Sequence, residues 1–147
     1  MAYSGKFTPK NPSKYLGDPT NIIFRSLWER KTMEHLDTNP GVIKWASEEL
    51  FIPYLSPIDN RWHKYYPDFY VETKNVNGLI DNTIIEIKPA KESSPPEKKS
   101  KISKRYIREV VTWGINEAKW NAAIEYCNKR GWNFKVLTER ELYGITV

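Results

Sequence analysis

The chain has one cysteine, Cys127, so no disulfide can staple its fold, and His35 and His63 are too few histidines to complete a structural zinc site. Long apolar runs are missing as well. No stretch approaches the ~18 apolar residues of a membrane span, and the N-terminus lacks the apolar core of a signal peptide. These absences predict a soluble protein of a reducing compartment, with no membrane association and with an ordinary apolar core as its source of stability.

Aromatic residues are plentiful, at 14% of the chain with six Trp and nine Tyr, which is not the composition of a disordered polypeptide. A length of 147 residues suits one domain that buries about two-thirds of the surface of its unfolded form. The formal net charge of +5 favours a polyanionic partner, for which nucleic acid is the commonest candidate, although positive charge also serves solubility alone.

Residues 1–19 mix Lys6, Lys10 and Lys14 with Tyr3, Phe7, Tyr15 and several Pro and Gly, and read as an extended basic arm ahead of a single domain over 20–147. The apolar spacing of Phe24, Leu27, Trp28 and Leu36 predicts a helix from about Ile22 to Leu36, ended by Asn39-Pro40. Strands are predicted at Ile43 to Tyr54, Trp62 to Thr73 and Thr83 to Lys88, forming an antiparallel meander with a turn near Asn77-Gly78. The segment 89–105 is a basic loop, with Lys91, Lys98, Lys99, Lys101, Lys104 and Arg105 against Glu92 and Glu97. It is a solvated loop by composition and a DNA contact by its place after the third strand. Two helices follow, Tyr106 to Trp113 and Asn116 to Lys129, the second capped by Asn116 and ended by Gly131. A last strand, Trp132 to Leu137, is expected to lie parallel in the same sheet through a right-handed crossover. The fold class is therefore α/β (α+β), a mixed sheet with a meander and a crossover strand, flanked by helices.

Chemistry concentrates on the second and third strands. The two-residue period of a strand puts Glu86 and Lys88 on one face with Ile84, and Ile85 and Ile87 on the other. A hairpin centred on Asn77 brings Asp68, which follows Pro67, directly opposite Glu86, with Cβ atoms about 5 Å apart. Two carboxylates at that range repel by about 3 kcal/mol at an effective dielectric near 20. A divalent cation reverses the sign of that interaction. Hard oxygens from Asp68 and Glu86, with the carbonyl of Ile87, suit Mg²⁺, for which Mn²⁺ can substitute. Lys88 then orients the attacking water or neutralises developing charge.

Asp68 after Pro67, followed by Glu86-Ile87-Lys88, resembles the signature of the PD-(D/E)xK nuclease superfamily, and the element order above matches its restriction-endonuclease-like core. That resemblance implies a metal-dependent deoxyribonuclease and adds Glu29, on the first helix, to the catalytic set. Ser26-x-x-Glu29 also spells a capping box, in which the Glu bonds a backbone N–H instead. Arg25-Ser26-x-x-Glu29 is further similar to TnsA-like transposon endonucleases. The N-terminal Met-Ala-Tyr-Ser-Gly-Lys, the run Pro9 to Tyr15, Arg25-Ser26-x-Trp28-Glu29, Ile52-Pro53-Tyr54, Glu86-Ile87-Lys88-Pro89 and Lys119-Trp120-x-Ala122-Ala123 resemble the head completion proteins of T4-like tailed phages. This implies a nuclease of virion assembly that acts on DNA beside phage head or portal proteins, in the cytoplasm of the infected bacterial host or on the virion. Two other readings stay open: a non-catalytic DNA-binding head protein on the same fold, and a partner-dependent transposase-type or restriction-type nuclease.

Arg25, Ser26, Lys98, Lys99, Lys101, Lys104, Arg105 and Lys119 are the candidate DNA contacts, Lys119 being equally readable as part of a solvated helix face. Glu48 is a minor candidate ligand. His63, beside Trp62 and Tyr65, is expected to pack, and most Trp residues are expected in the core.

Overall fold

Apolar residues alternating through the middle of the chain build a sheet that is covered on both faces. The computed structural model describes residues 4–141; Met1, Ala2 and Tyr3 of the expected arm lie outside the described residues. In chain order the elements are β1 (Gly5–Phe7), β2 (Ile22–Phe24), α1 (Leu27–Thr38), β3 (Val42–Ser47), β4 (Ile52–Leu55), β5 (Trp62–Tyr65), β6 (Phe69–Lys74), β7 (Ile80–Ile87), α2 (Lys104–Arg130) and β8 (Asn133–Leu137), with 3-10 turns at Pro12–Lys14 and Ala90–Glu92. The central sheet has the order β3-β6-β7-β8; its first three strands are antiparallel and β8 runs parallel to β7. The mixed sheet of the sequence reading is thus present, with β7 inside it.

One core lies between the sheet, α1 and the N-terminal segment, around the fully buried Trp45, Met33 and Phe69, and takes in Ile85 and Ile87. The other lies under α2 and the β4–β5 hairpin, and takes in Ile84, Trp120, Ala123 and Cys127. The two-residue period of β7 therefore divides its isoleucines between the two faces as expected, and Glu86 falls on the α2 side with Ile84.

The β6–β7 register pairs Phe69 with Ile85 and Lys74 with Ile80, so the hairpin is centred on Asn77. Its turn is closed by Asn75, whose side chain accepts from the N–H groups of Asn77 and Leu79 at 2.9 and 3.0 Å. Gly78 sits there at φ 79, a conformation that costs glycine nothing.

Several boundaries differ from the sequence reading. The predicted first helix starts five residues late: Ile22–Phe24 is a strand paired with Gly5–Phe7, and Ser26 caps the helix proper. The strand expected over Ile43 to Tyr54 is two strands in different sheets, broken where Glu48 takes a left-handed φ of 53. The strand expected over Trp62 to Thr73 is likewise split at Tyr66 to Asp68, where Pro67 offers no N–H to a ladder. The two expected helices are one. Ser103 caps it, Asn116 is a buried mid-helix residue and not a cap, and Gly114 costs only about 1 kcal/mol, too little to break a helix held by packing. Gly131, at φ 70, ends it as predicted.

In place of an extended arm, Phe7 and Tyr15 are buried in the core and the backbone between them is pinned to α1. The N–H groups of Lys10 and Asn11 donate to the Asp37 carboxylate at 2.7 and 3.2 Å. Lys14 Nζ donates to the carbonyls of Asp37 and Asn39, at the C-terminal end of that helix where its dipole favours a cation.

Candidate active site

The hairpin register, continued one step past Phe69 and Ile85, sets Asp68 opposite Glu86 at the end of the ladder. Asp68 is fixed further by the backbone N–H of Ile87, which donates to its Oδ2 at 2.7 Å, and its own carbonyl accepts from the N–H of Glu48 at 3.3 Å. Glu86 is buried, on a strand paired on both sides, so its carboxyl is displaced from water by the fold itself. Burial, and next the charge of Asp68, push the Glu86 carboxyl up to about 8. Burial also raises Asp68, against the Ile87 N–H and the nearby Lys88, which both lower it. The pair therefore carries less than its full negative charge near neutral pH in the absence of a cation, as expected of two acids forced together.

Cations meet this pair from two directions. Lys88 follows on the same strand, and its main-chain N–H donates to the Leu137 carbonyl at 3.0 Å, which locks the strand end beside β8. Lys119 comes from the middle of α2. Its ammonium lies 5.8 and 5.7 Å from the ring centroids of Tyr54 and Tyr65, and burial, then Lys88, lower its pKa while Glu86 and Asp68 raise it. It is no solvated helix residue. Two like charges and two acids within mutual range form one electrostatic unit.

Glu29 approaches from α1. Ser26 Oγ accepts from the Glu29 N–H at 3.1 Å, the ordinary N-cap bond, but the return bond of a capping box is displaced, since the Glu29 carboxylate accepts at 3.4 Å from the Arg25 N–H and from the Ser26 hydroxyl, not from the Ser26 main-chain N–H. Burial and the charge of Asp68 raise the Glu29 pKa. Glu29 thus takes part in the helix cap and also lies within electrostatic range of Asp68. Arg25 itself is exposed and ion-paired with Glu48. Among the described residues no group of three or more His, Cys, Asp or Glu is close enough to hold a metal ion. A cation would rest on the Asp68 and Glu86 oxygens and on main-chain or solvent oxygen, a donor set that fits a hard ion keeping several waters.

Lys98, Lys99, Lys101, Lys104 and Arg105 are exposed, and Arg105 pairs with Glu109 on its own helix at 3.2 Å. Lys99, Arg105, Arg108 and Trp113 line a trough of about 820 Å³ between the loop and the first half of α2. No element of the sequence reading anticipated Tyr65, whose hydroxyl is buried beside Glu86 without a hydrogen bond of regular geometry. A tyrosine at the end of a strand reads as packing, so the sequence carried no signal. His63 is exposed and bonds the Asp59 carboxylate at 2.8 Å, so it does not pack inside as expected. Trp45 and Trp120 are buried, whereas Trp62 is open to solvent.

The family described as TnsA-like endonuclease N terminal matches residues 39–139, the span that contains Asp68, Glu86, Lys88 and Lys119. The chain belongs to the TnsA-like endonuclease family. A TnsA-like chain of this kind is also 44% identical to the protein named head completion nuclease of Enterobacteria phage T4, over 99% of this chain and 97% of that one. That similarity extends to the Arg25 to Glu29 segment and the N-terminal strand, which the TnsA-like match leaves out. Among the described residues no helix is long and apolar enough to cross a membrane.

Proposed function

We propose that the protein hydrolyses phosphodiester bonds in DNA with Mg²⁺ held between Asp68 and Glu86, as a nuclease of phage head completion. The observation that carries this reading is the opposition of a buried carboxylate, Glu86, to a half-buried one, Asp68, at the end of a two-strand ladder flanked by Lys88 and Lys119. Burying two acids together is costly unless a cation completes them. Bound Mg²⁺ supplies a Lewis acid that acidifies water and screens the phosphate, and Mn²⁺ can take its place.

The chain's own groups do the rest. Asp68 and Glu86 present hard oxygens, and the Ile87 N–H keeps Asp68 turned toward its partner while the Ile87 carbonyl offers a further ligand. Lys88 orients the attacking water, whose oxygen bonds to phosphorus as a backbone P–O bond breaks, and neutralises charge on the phosphoryl oxygens. Lys119, held over the two tyrosine rings, contacts the same phosphate. Glu29 positions water on the α1 side. Arg25, Ser26 and the lysines of the basic loop, with Arg105, hold flanking phosphates, and that grip weakens with salt. The name of the T4 relative supports a role beside phage head or portal proteins, in the infected cell's cytoplasm or on the particle.

The test is cleavage of linear DNA in Mg²⁺ or Mn²⁺ by the wild-type protein and by Asp68→Ala and Lys88→Ala variants. Cleavage by the wild type alone, stopped by EDTA, is expected. Equal degradation by all three, insensitive to EDTA, would mean a contaminant and sink the proposal.

A further inference from the structure

The β4–β5 hairpin has two unlike faces. Its inner face, Ile52, Tyr54 and Tyr65, packs under α2 and carries Lys119 into the active site. Its outer face is apolar yet uncovered. The register sets Leu55 opposite Trp62 on that face, one pair beyond the buried Tyr54 and its exposed partner His63, and Pro53 opposite Lys64. Phe51 and Tyr66 continue the same strip with ring centroids 5.9 Å apart, and Lys64 Nζ sits 4.8 Å over the Phe51 ring. Trp62 is 71% exposed, and Phe51, Leu55 and Tyr66 are exposed with it. Isolated exposed apolar residues are ordinary, but a contiguous aromatic strip on one face of one hairpin marks a contact surface.

Charge identifies the occupant. Between Leu50 and Tyr66 the only acidic residue is Asp59, and it is engaged by His63 and by the N–H of Arg61, which leaves Arg61 and Lys64 as exposed cations along the strip. Aromatic faces interleaved with cations, without opposing acids, are how proteins hold nucleic acid through base stacking and phosphate contact. Position agrees. Tyr66 lies two residues before Asp68, and Trp62, six residues before it, is at most about 20 Å away along an extended chain, well inside one turn of duplex at about 34 Å.

We propose that the outer face of the β4–β5 hairpin is a second DNA-binding surface, on which Trp62 stacks or wedges against bases flanking the cut while Arg61 and Lys64 hold the adjoining phosphates. This rests on DNA being the substrate of the neighbouring carboxylates. It assigns to the hairpin a grip that is largely apolar, in contrast with the ionic grip of the basic loop.

The experiment measures binding and not cleavage, so that it is read independently of the catalytic proposal. Full-length protein carrying Asp68→Ala is titrated into a fluorescein-labelled DNA duplex in EDTA at several salt concentrations, with Trp62→Ala, Trp62→Phe and Lys64→Ala added in turn. Trp62→Ala should weaken binding about tenfold, the range of one lost base stack, without changing the salt slope. Trp62→Phe should restore most of it, which also excludes a folding defect, and Lys64→Ala should lower the slope by about one. Binding by Trp62→Ala within twofold of its parent would overturn the proposal. So would a parent that sediments as a dimer and a Trp62→Ala variant that sediments as a monomer, because a second copy of the chain would then cover the face. Loss of binding in Trp62→Ala together with a wild type that never cuts would remove the catalytic reading and leave this one standing.

Discussion

Asp37 and Glu86 are both almost completely buried, one in each half of the molecule, and they do opposite things. Asp37, at the end of α1, gives its carboxylate to the N–H groups of Lys10 and Asn11 and so ties the N-terminal segment down. Glu86, on the α2 face, meets no such backbone donor among the described residues and faces instead another acid, a phenol and, nearby, two lysines. Burial of an acid therefore does not by itself mark a functional site. What separates the two is whether neutral peptide donors meet the charge or other ionisable groups do.

The comparison breaks most sharply on activity. Glu86→Gln or Asp68→Asn should cut cleavage about 10³-fold, worth about 4 kcal/mol of transition-state stabilisation, without lowering the melting temperature, because either change removes like-charge repulsion. Asp37→Ala should do the reverse. It removes the charged acceptor of two main-chain N–H groups that tie the N-terminal segment to α1, so denaturant titration should register a loss of about 3 kcal/mol, while cleavage per folded molecule stays as in the wild type. A catalytic loss in Asp37→Ala at full folding would erase the distinction.

Acidity sharpens it next. Glu86 is pushed up to about 8 from an ordinary 4.5, so between those values the unfolded chain holds fewer protons at this position than the folded one. Stability falls as pH rises through that window, and Asp68, also raised, acts in the same direction. Melting curves of metal-free protein should show a melting temperature that declines from about pH 5 to about pH 8, less so in Glu86→Gln, with Mg²⁺ restoring more at pH 8 than at pH 5.5. A flat profile would mean that Glu86 and Asp68 do not compete for a proton. The smallest effect is expected at Ser26→Ala, a loss of about 1 kcal/mol from the α1 cap seen by thermal denaturation. If cleavage falls further than stability in that variant, the cap also holds Glu29 in place.

The trio Asp68, Glu86 and Lys88 was legible because it depends on one local quantity, the centre of a hairpin, and Asn75 and Gly78 fix that centre by turn chemistry. The sorting of Ile84 from Ile85 and Ile87 follows from strand period alone. Boundaries set by tertiary contact were not legible. Ile22–Phe24 looks helical until Gly5–Phe7 pairs with it, and nothing local to Glu48 announces that the chain leaves one sheet there for another. Gly114 reads as a helix end because propensity is local, while the packing of Trp113 against Trp120, at 5.6 Å between centroids, is not. Tyr65 and the inward turn of Lys119 belong to the same class, since both depend on the β4–β5 hairpin folding back under α2.

Strand β8 is the last described strand to be synthesised, and it is the parallel neighbour of β7. The carboxylates of Asp68 and Glu86 come from one hairpin and can meet while the chain is still growing. The clamp on the Lys88 main chain comes from Leu137, and Lys119 arrives with a helix that must cross the sheet first. Long-range parallel pairing of this kind forms late, because its loop must be closed before any contact rewards it. A nascent chain can thus hold the two acids and still lack both the clamp on Lys88 and the packed Lys119 until β8 has left the ribosome.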